Sequence, residues 1–169
     1  MTTRGENEAL VRALLAVSRS MVALAARNLA ALEADVTLPQ YRALVLLATA
    51  GPQRSAGLAK ELDVAPSTLT RMCDRLERKH LVRRFHRDND RRSTWLALTP
   101  AGRDLVGVVM RERHRELAAL VHEAKVDASQ ECLDLLDRIV EASGELPDAV
   151  WWQRWETSAD LVDGVTLPS

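Results

Sequence analysis

Apolar residues near the start of the chain recur at alternating steps of four and three: Leu10, Leu14, Val17, Met21 and Leu24, then Ala25, Leu29 and Leu32. That spacing predicts an amphipathic helix of about 27 residues, spanning roughly 40 Å at 1.5 Å per residue. A helix that long overhangs a small domain, so a partner helix, most simply from a second copy of the chain, is the expected cover for its seam. After Val36 the pattern restarts. Thr37 is placed to cap a helix with Pro39 just inside it, and Tyr41, Leu44, Val45 and Leu47 continue at helical spacing until Gly51-Pro52. Leu58, Ala59 and Leu62 form a short apolar run behind Ser55, and Val64-Ala65-Pro66 breaks it. The helix that opens at Pro66 carries Leu69, Cys73 and Leu76 on one face and Ser67, Thr68, Thr70, Arg71, Arg75 and Arg78 on the other.

Two short helices joined by a tight turn make a helix-turn-helix. The period then changes, and Leu81-Val82-Arg83-Arg84-Phe85 and Thr94-Trp95-Leu96-Ala97-Leu98 read as two strands around a loop over residues 86–93. Asp88-Asn89-Asp90 is turn chemistry, which puts the flanking arginines at the tip of a hairpin, a wing in this setting. Thr99-Pro100 restarts a helix through Leu105, Val108, Val109, Leu117, Leu120 and Val121. Asp127 is placed to cap a last helix through Cys132, Leu135, Leu136, Ile139 and Val140, ended by Ser143-Gly144. The expected fold is mainly α: a winged helix-turn-helix (residues 37–100) between long N- and C-terminal dimerisation helices (1–36 and 101–143), with a tryptophan-containing tail (144–169). In that tail Trp151, Trp152 and Trp155 are expected to cover the helical lobe, because three bare indoles would make an association site.

Composition narrows the class. Of 169 residues, 47% are hydrophobic but only 4% aromatic, which disfavours an all-β fold and suits a soluble globular protein. Cys73 and Cys132 form no Cys-x-x-Cys pair, so a reducing cytoplasm is the natural setting. Arg12, Arg19 and Arg27 interrupt the apolar run of the first helix, a pattern that suits neither a signal peptide nor a membrane span. The net charge of −1 conceals a strong asymmetry. Residues 54–95 hold eleven basic and six acidic side chains, a net +5, while the remainder holds twelve and eighteen, a net −6. A basic island on an acidic body is the footprint of a protein that docks on a polyanion; the alternative is a solvated charged face.

The motifs also carry a family likeness. Leu38-Pro39-Gln40-Tyr41, Leu58-Ala59, Pro66-Ser67-Thr68-Leu69-Thr70-Arg71, Asp74-Arg75-Leu76-Glu77-Arg78-Lys79, Leu81-Val82-Arg83-Arg84, Asp90-Arg91-Arg92 and Leu98-Thr99-Pro100-Ala101-Gly102 stand in one order. In that order the chain resembles the MarR family of transcriptional regulators, over roughly residues 8–142. The resemblance implies a homodimer that binds a palindromic operator in double-stranded DNA, most simply as a repressor, with a small-molecule effector that releases it. Recognition helices in successive major grooves must stand about 34 Å apart, a spacing that long first and fifth helices can set.

Carried over by position, the resemblance implies recognition-helix contacts with bases and phosphates from Ser67, Thr68, Thr70, Arg71 and Arg75. On the wing it implies that Arg92 enters the minor groove with Asp90 holding its guanidinium, and that Arg87 and Arg91 sit on phosphates. A plain surface charge at a hairpin tip is the other reading of Arg92. One position departs from the family pattern: His80 stands where glycine commonly ends the recognition helix in the left-handed conformation.

Other chemistry finds little support. Cys73 shares a face with Leu69 and Leu76, and Cys132 lies among Leu135, Leu136 and Ile139, so both read as core residues before thiol sensors. His114 and His122 lie about 12 Å apart along one helix and cannot share an ion; no metal and no cofactor are expected. Gly102 and Gly107 mimic a phosphate loop, but Val108 stands where lysine is required. No acid, base and nucleophile fall at usable spacing, so an enzyme is not expected. Met21, Arg42, Leu46 and Val109 lie where an effector pocket would be, yet read as ordinary helix-face residues, and the pocket stays unassigned. The rival reading is a winged-helix dimer that binds a protein partner and has no operator.

Overall fold

A computed structural model describes residues 4–32, 34–87 and 90–163, with side chains for all of these except residues 4, 90–92 and 159–163. Helix α1 runs over Arg4–Ala30 and α2 over Leu38–Ala50. A two-residue strand, β1 at Gln53–Arg54, leads into α3 over Ser55–Glu61 and α4 over Pro66–Arg78. Strands β2 (Val82–Arg87) and β3 (Asp90–Leu98) follow, then α5 over Pro100–Ala124, α6 over Gln130–Ala142 and α7 over Asp148–Asp163. The fold is mainly helical with one small antiparallel sheet, as the hydrophobic pattern predicts.

The turns around the helix-turn-helix are set by local chemistry. Between α3 and α4 the chain reverses through Asp63 at φ 51°, with Val64 N–H donating to Ala59 O at 3.0 Å and Asp63 N–H to Lys60 O at 3.1 Å. These two bonds satisfy carbonyls that the end of α3 would otherwise leave open. The end of α4 repeats the device. His80 takes φ 56°, donating to Glu77 O at 2.9 Å, and Leu81 donates to Leu76 O at 3.0 Å. Histidine thus occupies the left-handed position expected of glycine. Thr99 docks α5 on this turn, its N–H reaching Leu81 O at 3.1 Å and its hydroxyl oxygen accepting from Gly102 N–H at 3.0 Å. A Cβ on Gly102 would lie 2.0 Å from Leu81 O, so only glycine lets α5 start this close to the turn.

The core gathers under α2. Leu44, Leu58, Leu69, Leu76, Leu96 and Val106 are fully buried, one or more from each of α2, α3, α4, β3 and α5. The sheet is three-stranded in the order β1-β3-β2, where the sequence shows only two strands; β1 pairs Gln53 with Leu96 and Arg54 with Trp95. The hairpin strands also run further than expected, since β2 reaches Arg87 and pairs it with Asp90 after an irregularity between Phe85 and Arg87. The loop read over residues 86–93 is therefore mostly strand. Backbone pairing continues through a run of polar residues that leave no apolar alternation to detect.

Two further expectations need correction. Ser129, not Asp127, caps α6, accepting from Cys132 N–H at 3.3 Å. Cys132 is exposed rather than core, because α6 buries none of its residues. The segment after Gly144 contains a helix, α7, and its tryptophans pack on α2 as well as α5. Trp151 is buried against the core, stacked on Trp155 at 5.5 Å and edge-on to Trp152 at 4.9 Å. Ser158, buried at 4% exposure, donates to Ala48 O of α2 at 2.6 Å and accepts from Arg103 of α5 at 2.8 Å.

Large apolar side chains remain exposed on α1 (Val11, Leu15, Val17, Val22), on α5 (Leu120, Val121) and on α6 (Leu133, Leu135, Leu136). Residues Gly5–Ala30 of α1 are long and apolar enough to cross a membrane by length and composition alone, despite the arginines that argue otherwise in the sequence.

Candidate nucleic-acid interface

Helix α4 is divided by its own sequence. Leu69, Met72, Cys73 and Leu76 point into the core, and Ser67, Thr70, Arg71, Arg75 and Arg78 are exposed, with Thr68 half-buried. Thr70 spends its hydroxyl proton on Pro66 O at 3.0 Å, which leaves the oxygen lone pairs outward. Arg78 turns back to Asp74 O at 3.2 Å. Arg71 and Arg75 meet no carboxylate among the described residues. An exposed stripe of hydroxyls and two unpaired guanidiniums suits a surface of phosphates and base edges.

Arg84 of β2 fixes this helix to the sheet. Its guanidinium donates to Thr70 O at 3.0 Å and forms ion pairs with Asp74 at 2.5 Å and Glu77 at 3.3 Å. Partial burial works against its charge, but the hydrogen bond and charge of Asp74, with Glu77, outweigh it and hold the group above its ordinary range. The same residues act on Cys73: burial pushes its thiol up, the Arg84 charge pulling part of the way back. A buried, protonated thiol is a poor nucleophile, which agrees with a packing role.

Beside α4 lies a cleft of about 520 Å³ lined by Arg54, Ser55, Pro66, Thr70, Arg84 and Thr94. It joins the start of α3, the first turn of α4 and the sheet. On the sheet, Arg87 lies 3.6 Å and Arg54 5.4 Å from the Trp95 ring centroid. Arg54, Arg84 and Trp95 belong to this surface although sequence reasoning missed them. The available signal was Arg54 immediately before a helix start and Trp95 in a strand facing an arginine-rich one; the pairing that joins them needs the third strand. Of the wing residues, Asp90, Arg91 and Arg92 lie on β3 by backbone, and their side chains fall outside the described residues, as do Asp88 and Asn89 entirely. The structure thus sets Ser67, Thr68, Thr70, Arg71 and Arg75 along the outer side of α4, and Arg87 on the wing against Trp95. It does not describe the Asp90–Arg92 pair.

The residues raised as effector-pocket positions are engaged in packing. Leu46 and Val109 are buried, Met21 is half-buried, and Arg42 is ion-paired with Glu145. At the contact of α2 with α5, the Tyr41 hydroxyl and Arg113 Nε are buried beside each other, the Arg113 guanidinium acting on the phenol by charge and by a side-chain hydrogen bond. Among those residues no three of His, Cys, Asp and Glu converge on a metal-sized site.

Known proteins match this arrangement. Residues 36–94 match the model of the MarR family. The chain is 32% identical over 111 residues to YfiV of Bacillus subtilis, an uncharacterized HTH-type transcriptional regulator, covering 63% of this chain and 69% of that protein. It is 40% identical over 67 residues to MdtR of Bacillus subtilis, an HTH-type transcriptional repressor, covering 40% and 43%. Among solved structures it superposes on RV1404 from Mycobacterium tuberculosis with a TM-score of 0.76 and 34% identity, covering 88% of this chain and 99% of that one. The family model spans α2 through most of β3, the elements that carry the exposed basic face of α4 and the Arg84 brace. The chain belongs to the MarR family of winged helix-turn-helix transcriptional regulators.

Proposed function

We propose that the chain is a cytoplasmic homodimeric repressor that reads a palindromic operator in double-stranded DNA and is released by a small-molecule effector, with no reaction of its own. Residues 37–100 are its DNA-binding lobe; residues 1–36 and 101–143 are its dimerisation lobe, and 144–169 is a tail. The observation that carries this reading is the exposed face of α4. Ser67, Thr70, Arg71 and Arg75 stand outward on a helix that Arg84 holds rigidly against the wing. Thr68 stands with them, and Arg87, Asp90, Arg91 and Arg92 supply the wing contacts. Dimerisation is supported by the exposed leucines and valines of α1, α5 and α6, since water-facing apolar surface of that extent seeks a partner. The same cover accounts for the apolar character of α1 without a membrane. Repression is supported by the likeness to MdtR, itself named a repressor.

Effector release requires a ligand that prefers a dimer with displaced reading heads. The α2–α5 contact, where Tyr41 and Arg113 meet, is the place where such a ligand would separate the head from the dimer helices. The deciding experiment is binding of the purified chain to duplex from its own upstream region and to a scrambled duplex, across a salt series. Tight, salt-sensitive binding with strong preference for its own region is the expected result. Weak binding without preference would overturn operator reading at that site and turn attention to a protein partner.

A further inference from the structure

Arginine and aromatic side chains are layered around β3, on an arrangement that needs all three strands. Trp95 lies on the central strand, opposite Arg54 of β1 on one side and Phe85 of β2 on the other. The Arg87 guanidinium covers the indole at 3.6 Å, Arg54 lies over it at 5.4 Å, and Arg83 lies over Phe85 at 5.6 Å. Trp95 is half-buried, while Arg54 and Arg87 are both exposed. Its Nε1 is buried and has no hydrogen-bond partner among the described residues, so the ring's contribution there is its face rather than its N–H.

A long exposed arginine is free in its rotamers, and ordering it against a ligand costs entropy at the moment of binding. Stacking on an aromatic face orders the guanidinium beforehand. It also leaves the in-plane N–H donors at the edge, the geometry that pairs with phosphate oxygens. Two guanidiniums gathered on one indole, inside a stretch of net charge +5, form a preorganised dication. Its position suits a nucleic-acid backbone, because Arg54 also lines the cleft that reaches Pro66 and Thr70 at the first turn of α4.

We propose that Trp95 is a positioning residue that holds Arg54 and Arg87 together as a paired contact for two DNA phosphates at the base of the wing. This rests on the reading of the chain as a DNA-binding protein. It adds Arg54 to the contact set and gives a role to a tryptophan that touches no DNA itself.

The test uses the full chain and a mixed-sequence duplex of about three helical turns, with dissociation constants measured across a salt series. Arg54→Gln and Arg87→Gln are each expected to lower the log–log salt slope by about one, the mark of one lost phosphate contact. Trp95→Leu is expected to weaken binding several-fold although it removes no charge, and Trp95→Phe to restore most of that loss because any aromatic face can stack. In the Trp95→Leu background, Arg87→Gln should cost clearly less than in the parent chain. The proposal is overturned if Trp95→Leu binds like the parent, or if Arg87→Gln costs the same with and without the indole. Should Trp95→Leu fail to fold by circular dichroism, the two arginine variants decide with the indole intact: unchanged slopes overturn it. A parent chain that binds no duplex even at low salt would remove the DNA-binding reading itself, a result distinct from loss of the stack alone.

Discussion

Arg71, Arg75 and Arg84 are the same residue type put to different uses by what each faces. Arg84 is consumed within the protein by Asp74, Glu77 and a helix carbonyl, whereas Arg71 and Arg75 meet no carboxylate among the described residues. Arg71→Ala is accordingly expected to reduce the preference for operator over random duplex by about 1–3 kcal/mol, as loss of a bidentate base contact does. Equal loss on both duplexes would make Arg71 a phosphate contact instead. Tyr41 offers a second test, since it is the chain's single tyrosine. Burial pushes its phenol from 10.0 up to about 12, with the nearby Arg113 charge pulling part of the way back. A folded-state value above the unfolded one leaves stability intact below pH 10 and removes it as pH rises toward 12, by roughly 3 kcal/mol for a shift of that size. The native protein should therefore show phenolate absorbance only near pH 12, and in urea near pH 10. A native titration at the ordinary value would contradict the burial. Tyr41→Phe should flatten the alkaline loss of stability across that window.

At the scale of elements, the helix ends show how far local chemistry reaches. Thr99 with Pro100 marks the start of α5 in sequence and performs that role in structure, its side-chain oxygen accepting from Gly102 N–H. His80 marks the end of α4 by position, although its side chain is not the one that conformation favours. His80→Gly is expected to raise stability by about 1 kcal/mol in urea denaturation, because glycine takes φ near +56° without the Cβ penalty. A loss of stability would show that the imidazole contributes more than the strain removes. The start of α6 differs from the sequence expectation for a related reason. Asp127 and Ser129 are both competent caps, and the choice depends on where the preceding helix ends, here at Lys125 in a left-handed conformation.

Across the whole molecule, the main division is between one shared core, built from α2, α3, α4 and the sheet with single faces of α1, α5 and α7, and the apolar helix faces left outside it. Every residue of α6 is at least partly solvent-accessible, and α1 and α5 add exposed valines and leucines. If the proposed homodimer forms through these helices, Leu136→Glu is expected to convert it to monomer in sedimentation experiments and to lower affinity for the proposed operator, because an unpaired carboxylate in an apolar interface costs several kcal/mol. A variant that stays dimeric would place the interface elsewhere. Helix α7 closes the other side. With Trp151 against the core and Ser158 linking Ala48 to Arg103, it ties α2 to α5. A movement of α2 away from α5 therefore has to disturb these contacts.

Periodicity alone determined the long first helix, the helix-turn-helix and the division of α4 into a buried apolar face and an exposed basic one. Each of these depends on side chains three or four residues apart, so the information is local. The basic island was equally legible, because charge needs no partner to be counted. What only the tertiary structure decided depends on residues far apart in the chain. Strand β1 exists because Gln53 and Arg54 find Leu96 and Trp95, and the Arg54–Trp95–Arg87 stack exists only because that strand is there. Arg84 reads in sequence as one more arginine of a basic wing and becomes a brace once β2 lies beside α4. The tryptophans are conspicuous in sequence, yet their attachment to α2 across more than a hundred residues follows from packing, which no local pattern encodes.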